Sequence, residues 1–382
     1  MRACAISSYS RKSSFYDWGP MKHLHVTSGR FAYDVVVGAG AWQALQTVAP
    51  DSYSSRFVLT EDGLWKRWGR KFLRESGLRH LRTIFVPAGE TSKSVRMAER
   101  VAGALLAGAA DRRSLLVAFG GGVIGDLGGF VASTYMRGID YVQAPTTVVA
   151  QVDSAIGGKT AVNVGAMKNL LGTFYPPRLV ISDPTVLATL DARAFRSGIY
   201  EMVKHATLAG ERLFGELETH LDSMRPSHAK ELGPLIAHAA LVKVEVVCAD
   251  EREVGLRRVL NLGHTFGHAF EEVTHYRRFL HGEAVAWGLL VAARLAERIE
   301  ILGPHDAARI RSLLRRVGPL PPIDDLTPGG ILALLPRDKK AVGGRIHWVL
   351  PERVGKMLIT AEVPPAQVRA ALLDTQRAGQ HE

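Results

Sequence analysis

The apolar run Ser114–Phe119 is followed at once by GGGVIGDLGGF, Gly120 to Phe130. A run that short and that apolar reads as a buried strand, and the glycines after it read as a tight turn opening a helix. Gly120, Gly122 and Gly125 satisfy G-x-G-x-x-G in the strand–turn–helix context that the motif needs. Glycine there lets the backbone approach a pyrophosphate, and the amides of a helix start favour negative charge. The motif alone is weak, because glycine-rich turns recur across α/β proteins. An ordinary dinucleotide fold places an acid about 20 residues on to hold the ribose. The acid at that distance is Asp140, which stands before the strand-like YVQA and is poorly placed. Another residue must take the ribose.

Around this turn the first half of the chain alternates strand-like runs (DVVV, RFVL, TIFV, LLVAF, YVQA, RLVIS) with helix-like stretches, the pattern of a parallel α/β sheet. After Asp183 the texture changes. Ala192–Ala209, Ala229–Cys248 and Ala284–Leu302 read as helices, several too apolar to be solvated all round. A strand-like pair, RIHWVL and KMLIT, precedes a terminal helix. At 382 residues two domains are expected. They are an N-terminal α/β domain with a Rossmann-like parallel sheet over residues 21–183, and a mainly α-helical domain over 184–382. Residues 1–20 carry Arg2, Arg11 and Lys12 with no acid before Asp17, and read as a disordered extension with Met21 opening the folded part.

Cys4 and Cys248 are too few for a disulfide framework and fit a reducing cytoplasm. No apolar run reads as a membrane span. The net charge of +11 raises a nucleic-acid reading. The excess, however, is scattered arginine, as around Trp65–Arg82, and forms no continuous stripe. Solvated faces and a basic pocket for an anionic substrate account for it more simply.

The chemistry concentrates in three blocks. Asn261–Glu283, NLGHTFGHAFEEVTHYRRFLHGE, holds His264, His268 and His281 among amides and carboxylates. His264 and His268 lie one helical turn apart, and imidazole is the commonest neutral metal ligand. Among 14 histidines one such pair arises readily by chance, so the third His, followed by Gly-Glu, is what strengthens a metal reading. Ala144–Tyr175 sets Asp153, Lys159, Lys168 and Asn169 among small and apolar residues, with glycine pairs between them. The glycines before Lys159 suggest close backbone approach to a ligand. In EMVKH, Glu201, Lys204 and His205 share one helical face, which by itself would be a solvated ion pair worth a few tenths of a kcal/mol. Glu90 and Lys93 lie in PAGETSKS, where Thr91 or Ser92 could cap a helix.

Taken in order, GGGVIGD, the Thr-Thr after Pro145, VDSAIGGKTAVN, MKN, E-x-V-K, LNLGHTFGHA, HGEAVA and DKK resemble the 3-dehydroquinate synthase family of sugar phosphate cyclases, from about Arg30 to about Leu373. The wider superfamily holds glycerol and iron-type alcohol dehydrogenases, which share a two-domain plan without this lysine-rich set. The resemblance implies a dehydroquinate synthase-like fold and a divalent metal, Zn2+ first and Co2+ second, on Glu201, His264 and His281. It implies NAD on Gly121, Gly122 and Asp126, with Thr146 and Thr147 on the nicotinamide side, Glu61 on the adenosine ribose, and Glu90 and Lys93 nearby. The family usually has Asp where Glu61 stands, and Asp62 is adjacent.

For the substrate, a keto-acid sugar phosphate, the resemblance implies Asp153 and Lys204 at the reacting carbons. Lys159, Lys243 and Arg257 fall at the carboxylate and hydroxyl end. Lys168 is a further substrate-binding residue, and Asn169, Asn261, His268 and one of Lys339 or Lys340 go to the phosphate. Arg137 is expected to reach the phosphate site of a partner in a homodimer. Two departures stand beside the metal residues: His205 where the family has Tyr, and Tyr200 where it has a small residue. The implied reaction is a redox-neutral oxidation, phosphate elimination, reduction and aldol closure. Sister cyclases making inosose or valiolone, and metal-dependent polyol dehydrogenases, are the alternatives.

Overall fold

The computed structural model of the chain describes residues 3–5, 21–29, 31–48, 50–165, 167–337 and 346–379. Lys339 and Lys340 lie outside the described residues. The chain divides into two compact units: Tyr16–Asp191 with Arg225–Arg252, and Met1–Phe15 with Ala192–Met224 and Glu253–Glu382. The strand β1 (Ala3–Ala5) belongs to the second of these.

The first unit is built on a sheet. β2 (Lys22–Thr27), β3 (Ala32–Val37), β4 (Arg56–Thr60), β5 (Leu81–Phe85), β6 (Leu115–Gly120) and β7 (Asp140–Pro145) enter in turn. β8 (Lys159–Val164) and β9 (Met167–Phe174) then form a separate antiparallel hairpin, and β10 (Leu179–Ser182) returns to the sheet. The strand order is β2-β3-β10-β7-β6-β4-β5, parallel throughout except for β2, which pairs antiparallel with β3. All six strand-like runs of the sequence are strands here. β6 is buried along its whole length, as a strand covered on both faces must be. β2 and the β8–β9 hairpin were not anticipated. β2 alternates histidine and apolar residues at an edge, and the hairpin is interrupted by glycines and polar groups that read as a ligand loop.

Three helices cross this sheet: α1 (Asp62–Ser76), α2 (Val95–Ala107) and α3 (Gly122–Thr134). α3 can lie close to β6 because it is glycine-rich. A Cβ on Gly128 would stand 2.9 Å from the Ala118 side chain, nearer than real Cβ atoms come.

The second unit is mainly helical and opens with α4 (Ala192–Ala209) and α5 (Glu211–His220). α6 (Gly233–Ala249) follows, but it belongs with the sheet unit. Here the sequence boundary at Asp183 and the compact units differ: the break falls after Asp191, and Arg225–Arg252 returns to the sheet. The physical reason is that α6 is apolar around its circumference, burying Ile236, Ala239, Val242, Val244, Val246 and Val247, so it needs cover on more than one side. One stretch containing α6, Pro226–Ala249, is long and apolar enough to cross a membrane, contrary to the sequence reading, but its most apolar window is 67% buried within the fold.

The helical unit continues with α7 (His264–Val273), α8 (His281–Arg298), α9 (Pro304–Val317) and α10 (Pro328–Leu334). A hairpin of β11 (Trp348–Arg353) and β12 (Lys356–Thr360) and a last helix, α11 (Pro365–Gly379), complete it. β1 pairs antiparallel with β12, Cys4 opposite Met357. The expectation of disorder across residues 1–20 therefore fails for Ala3–Ala5, which add a third strand to the hairpin.

α7 and α8 cross closely at glycines. Gly263 caps α7 at φ +78°, and a Cβ on it would stand 2.9 Å from the Val285 carbonyl. On Gly288 a Cβ would overlap the Gly263 carbonyl, with no flexible side-chain end to give way. Gly288→Ala should therefore lower stability by about 1–3 kcal/mol, read as a drop in the denaturant midpoint at unchanged slope; a wild-type midpoint would refute this account of the crossing.

Candidate active site

Three helices of the helical unit bring their chemistry to one point. Glu201 comes from the middle of α4, His264 opens α7 and His281 opens α8. One ligand atom from each lies within 4.8 Å of the other two. His281 Nε2 is 3.5 Å and His264 Nε2 4.0 Å from the same oxygen, Glu201 Oε1. Among the described residues that buried oxygen accepts no hydrogen bond.

The other nitrogens of the two rings are engaged elsewhere. His264 Nδ1 lies 3.2 Å from the Leu262 carbonyl, and His281 Nδ1 lies 3.4 Å from Glu271 Oε2. Such partners fix a ring's orientation and leave Nε2 for a metal. Burial disfavours a charged His281, but Glu271 and Glu201 outweigh it and hold its pKa above the ordinary histidine value. The same two carboxylates that favour a charged imidazole would favour a bound divalent cation. Two imidazoles and one carboxylate also leave coordination positions open, as a catalytic zinc site does. The residues present fit a metal.

Lys204 completes this core. Its ammonium lies 2.6 Å from Glu201 Oε2, and both side chains are fully buried. The surface reading of EMVKH is thus wrong: the pair is interior, where it is far from a rim contact. His268 is not in the three-residue group. Its ring stacks at 6.2 Å and 29° on His281 and meets His264 edge-on at 5.5 Å. Arg257 is buried in the 3-10 turn before α7, and Asn261 in the same turn donates to Glu253 Oε1 at 2.8 Å. Tyr200 gives its hydroxyl to the Gly318 carbonyl at 2.9 Å, and His205 is buried beside Lys204 on α4.

In the sheet unit Glu61, Gly121, Gly122, Thr146 and Thr147 follow the carboxyl ends of β4, β6 and β7. After β4 the chain moves outward to β5 and then returns to the opposite side of β4 as β6. This is a topological switch point, where open α/β sheets bind their ligands. Glu61 follows β4 directly, and Gly121 follows β6 as the cap of α3. A Cβ on Gly121 would come within 3.0 Å of Thr147, and one on Gly122 within 3.1 Å of Ser154, so neither position has room to spare. Thr146 stands at the end of β7, its amide on the Gly120 carbonyl at 3.0 Å. Burial raises the Glu61 carboxyl above its ordinary pKa, whereas Asp62 is exposed and paired with Lys66 at 2.6 Å. Glu61 is therefore the better of the two for a ligand's hydroxyls.

Lys93 and Asp126 form a direct ion pair. Burial raises Asp126, and Lys93 works against that. Glu90 accepts from Asn163 Nδ2 at 2.8 Å. The helix cap here is Ser94, which accepts from the Met97 amide, in place of Thr91 or Ser92. Asp153 lies on a single π-helical turn, Ala150–Ser154, and pairs with Lys243 of α6. The resemblance implies different places for the two, Asp153 at the reacting carbons and Lys243 at the carboxylate and hydroxyl end.

Lys159 opens β8 with an exposed side chain. Gly157 and Gly158 before it have φ of +103° and +65°, and a Cβ on Gly158 would meet Pro176. At Gly158 the chain's own packing against Pro176 already calls for glycine. Asn169 adopts φ +54° and Arg137 φ +71°, both rare for side chains other than glycine.

Two connecting residues escaped the sequence reading. Asn163 joins the Glu90 segment to the Lys168–Asn169 segment, donating to Glu90 and accepting from the Asn169 amide at 2.9 Å. Glu271 orients His281. Each is a polar residue amid others like it, with no local signal to single it out.

Comparison with known proteins places this geometry in a family. The family model for 3-dehydroquinate synthase N-terminal matches residues 83–197, and that for 3-dehydroquinate synthase C-terminal matches 198–341. The chain is 42% identical over 349 residues to the 3-dehydroquinate synthase of Dictyoglomus turgidum, covering 90% of this chain and 95% of that one. It is 39% identical over 357 residues to that of Acidithiobacillus ferrooxidans, covering 92% and 98%. Among solved structures, 2-epi-5-epi-valiolone synthase from Streptomyces hygroscopicus, with NAD+ and Zn2+ bound, aligns at TM-score 0.81 and 30% identity, covering 92% and 99%. A 2-deoxy-scyllo-inosose synthase complexed with carbaglucose-6-phosphate, NAD+ and Co2+ aligns at TM-score 0.81 and 25% identity over the same shares.

Replacing His264 by Ala should abolish stoichiometric zinc, measured by metal analysis after dialysis, while NAD affinity is kept. Full metal content in that variant would remove His264 from the ligand set.

Proposed function

The chain belongs to the 3-dehydroquinate synthase family, and from that membership we propose that it converts 3-deoxy-D-arabino-heptulosonate 7-phosphate to 3-dehydroquinate and phosphate as an NAD- and metal-dependent carbon–oxygen lyase. The observation that carries the reading is the Glu201–His264–His281 group, Glu201 and His264 buried and His281 partly open, with Lys204 at its back. NAD and a divalent metal as cofactors are supported by the two cyclase neighbours, described with NAD+ and Zn2+ or Co2+. Higher identity to dehydroquinate synthases than to these sister cyclases supports the choice of substrate.

When bound, the metal polarises substrate hydroxyls as a Lewis acid and NAD accepts and returns one hydride. The protein's residues position and balance charge. Lys204 holds one oxygen of Glu201 and leaves the other facing the imidazoles. The Leu262 carbonyl and Glu271 keep both rings turned with Nε2 toward that oxygen. Gly121 and Gly122 give the cofactor pyrophosphate backbone amides, with the Lys93–Asp126 pair beneath. Glu61 takes the ribose hydroxyls, Glu90 lies nearby, and Thr146 and Thr147 line the nicotinamide.

Asp153 and Lys243 are charged partners that can exchange a proton or turn toward the substrate. Lys159 and Arg257 answer its carboxylate. Lys168, Asn169, Asn261 and His268 answer its phosphate, with Lys339 or Lys340 adding a further cation. A trianionic substrate requires this many donors, because each charge removed from water must be matched.

The homodimer belongs to the same proposal. β9 is an edge strand exposing Met167, Leu170, Leu171 and Phe174 on both of its faces, 42–54% accessible. A monomer would leave that edge open to aggregation, and a second copy closing on it is the favoured occupant. Arg137 then presents its side chain to the partner from a strained, exposed turn.

The decisive assay is phosphate release from the heptulosonate phosphate. Release should require both NAD and metal, with dehydroquinate formed and no net NADH. Stoichiometric NADH would instead mark a dehydrogenase, and turnover confined to glucose 6-phosphate or sedoheptulose 7-phosphate a sister cyclase. In sedimentation the wild type should run as a dimer and Leu170→Asp as a monomer; a monomeric wild type refutes the dimer.

A further inference from the structure

α4 carries Arg193, Ser197 and Glu201 at intervals of four, a single stripe along one face. The first turn of α8 reads His281, Gly282, Glu283. The two sets meet one to one, in opposite order. Glu201 faces His281 at 3.5 Å. Ser197 Oγ accepts from the Gly282 amide at 3.0 Å. Arg193 grips Glu283 with two bonds, Nε to Oε1 at 2.6 Å and Nη2 to Oε2 at 2.8 Å.

The grip extends into the loop before α8. Arg193 Nη2 also donates to the Arg278 carbonyl at 2.6 Å, and Glu283 Oε2 accepts from the Leu280 amide at 2.8 Å. Arg278 is itself held bidentately by Asp325, at 2.5 and 2.7 Å. Glycine is required at 282, because any Cβ there would overlap the Ser197 carbonyl. Arg278, Gly282 and Glu283 are thus tied to α4, Leu280 is tied to Glu283, and His281 sits within the fastened segment.

We propose that Arg193 and Ser197 are positioning residues for the metal: by fixing the first turn of α8 against α4 they set the distance from His281 to Glu201, and with it metal affinity. The inference rests on the reading of Glu201, His264 and His281 as the metal group. A preformed site loses affinity when a ligand can drift by a fraction of an ångström. Loss of an outer partner of a metal ligand ordinarily costs about 10–100-fold in affinity. Arg193 suits the role better than lysine, since only a guanidinium offers a planar fork to a carboxylate.

The test compares Zn2+ dissociation constants by chelator competition for the wild-type protein, Arg193→Ala, Arg193→Lys and Ser197→Ala. Visible absorption of the Co2+-loaded forms is recorded, with NAD affinity and the melting temperature of the metal-free proteins as controls. Arg193→Ala should weaken Zn2+ about 10–100-fold and alter the Co2+ spectrum, with NAD affinity unchanged. Arg193→Lys and Ser197→Ala should fall between it and the wild type. Wild-type Zn2+ affinity and Co2+ spectra in the folded variants would overturn the proposal alone. A wild-type protein that binds no stoichiometric metal would overturn the metal reading on which it rests. Should Arg193→Ala not fold, the Lys and Ser197 variants decide by the same criteria.

Discussion

A carboxylate taken wholly out of water is the constraint around which the helical unit is arranged. Glu201 is fully buried, and an ionised carboxyl in that position costs several kcal/mol unless positive or hydrogen-bonding groups surround it. Lys204 supplies one charge from the same helix. The other side of the carboxylate faces His264 and His281 from two further helices, at distances where a shared cation would satisfy all three. The arrangement explains why two helices begin at this point. A histidine in the first helical position is carried by a turn that can be pinned from outside, as Leu262 and Glu271 pin these two. It also explains why α7 and α8 cross over glycines: the close approach of their backbones brings both rings to one carboxylate oxygen.

The sheet unit answers a different constraint, the approach of backbone to a bulky anion. The glycine turn after β6 lies at the switch point of the strand order, and α3 begins with its amides directed to that end. A Cβ at Gly121 or Gly122 would press on the Thr147 and Ser154 side chains at 3.0–3.1 Å, so a larger residue at either position would have to displace them. A half-buried carboxyl, Glu61, stands directly after β4, at the same end of the parallel sheet as the glycine turn after β6.

Much of this was legible in the sequence. Period and length marked six strands of the first unit, and α4 to the residue, and the ordered motifs named the family. Two kinds of feature were not legible. The first is context that only folding provides: Glu201 and Lys204 look like a surface pair because spacing carries no information on burial, and α6 looks like part of the helical half because only packing decides which unit covers an all-round apolar helix. The second is the role of a residue that works through another. Arg193, Ser197, Asn163 and Glu271 are ordinary polar residues at ordinary helical or strand positions. Their partners lie 85 residues away for Ser197, 90 for Arg193 and 73 for Asn163, beyond any local periodicity.

The histidine pair in HTFGH illustrates why local spacing misleads about ligands. Two histidines four apart on one helix can share a metal without any other element, so such a pair would say nothing about the fold. The group formed here takes one residue from each of three helices, and the spare histidine, His268, stacks beside it. A metal held in this way closes a loop between α4, α7 and α8, so its binding energy stabilises their packing as well as its own coordination. That coupling runs in both directions. Contacts that fix the helices relative to one another, the Arg193 grip on Glu283 and the glycine crossing at Gly288 among them, must then contribute to metal affinity even though none of them supplies a ligand.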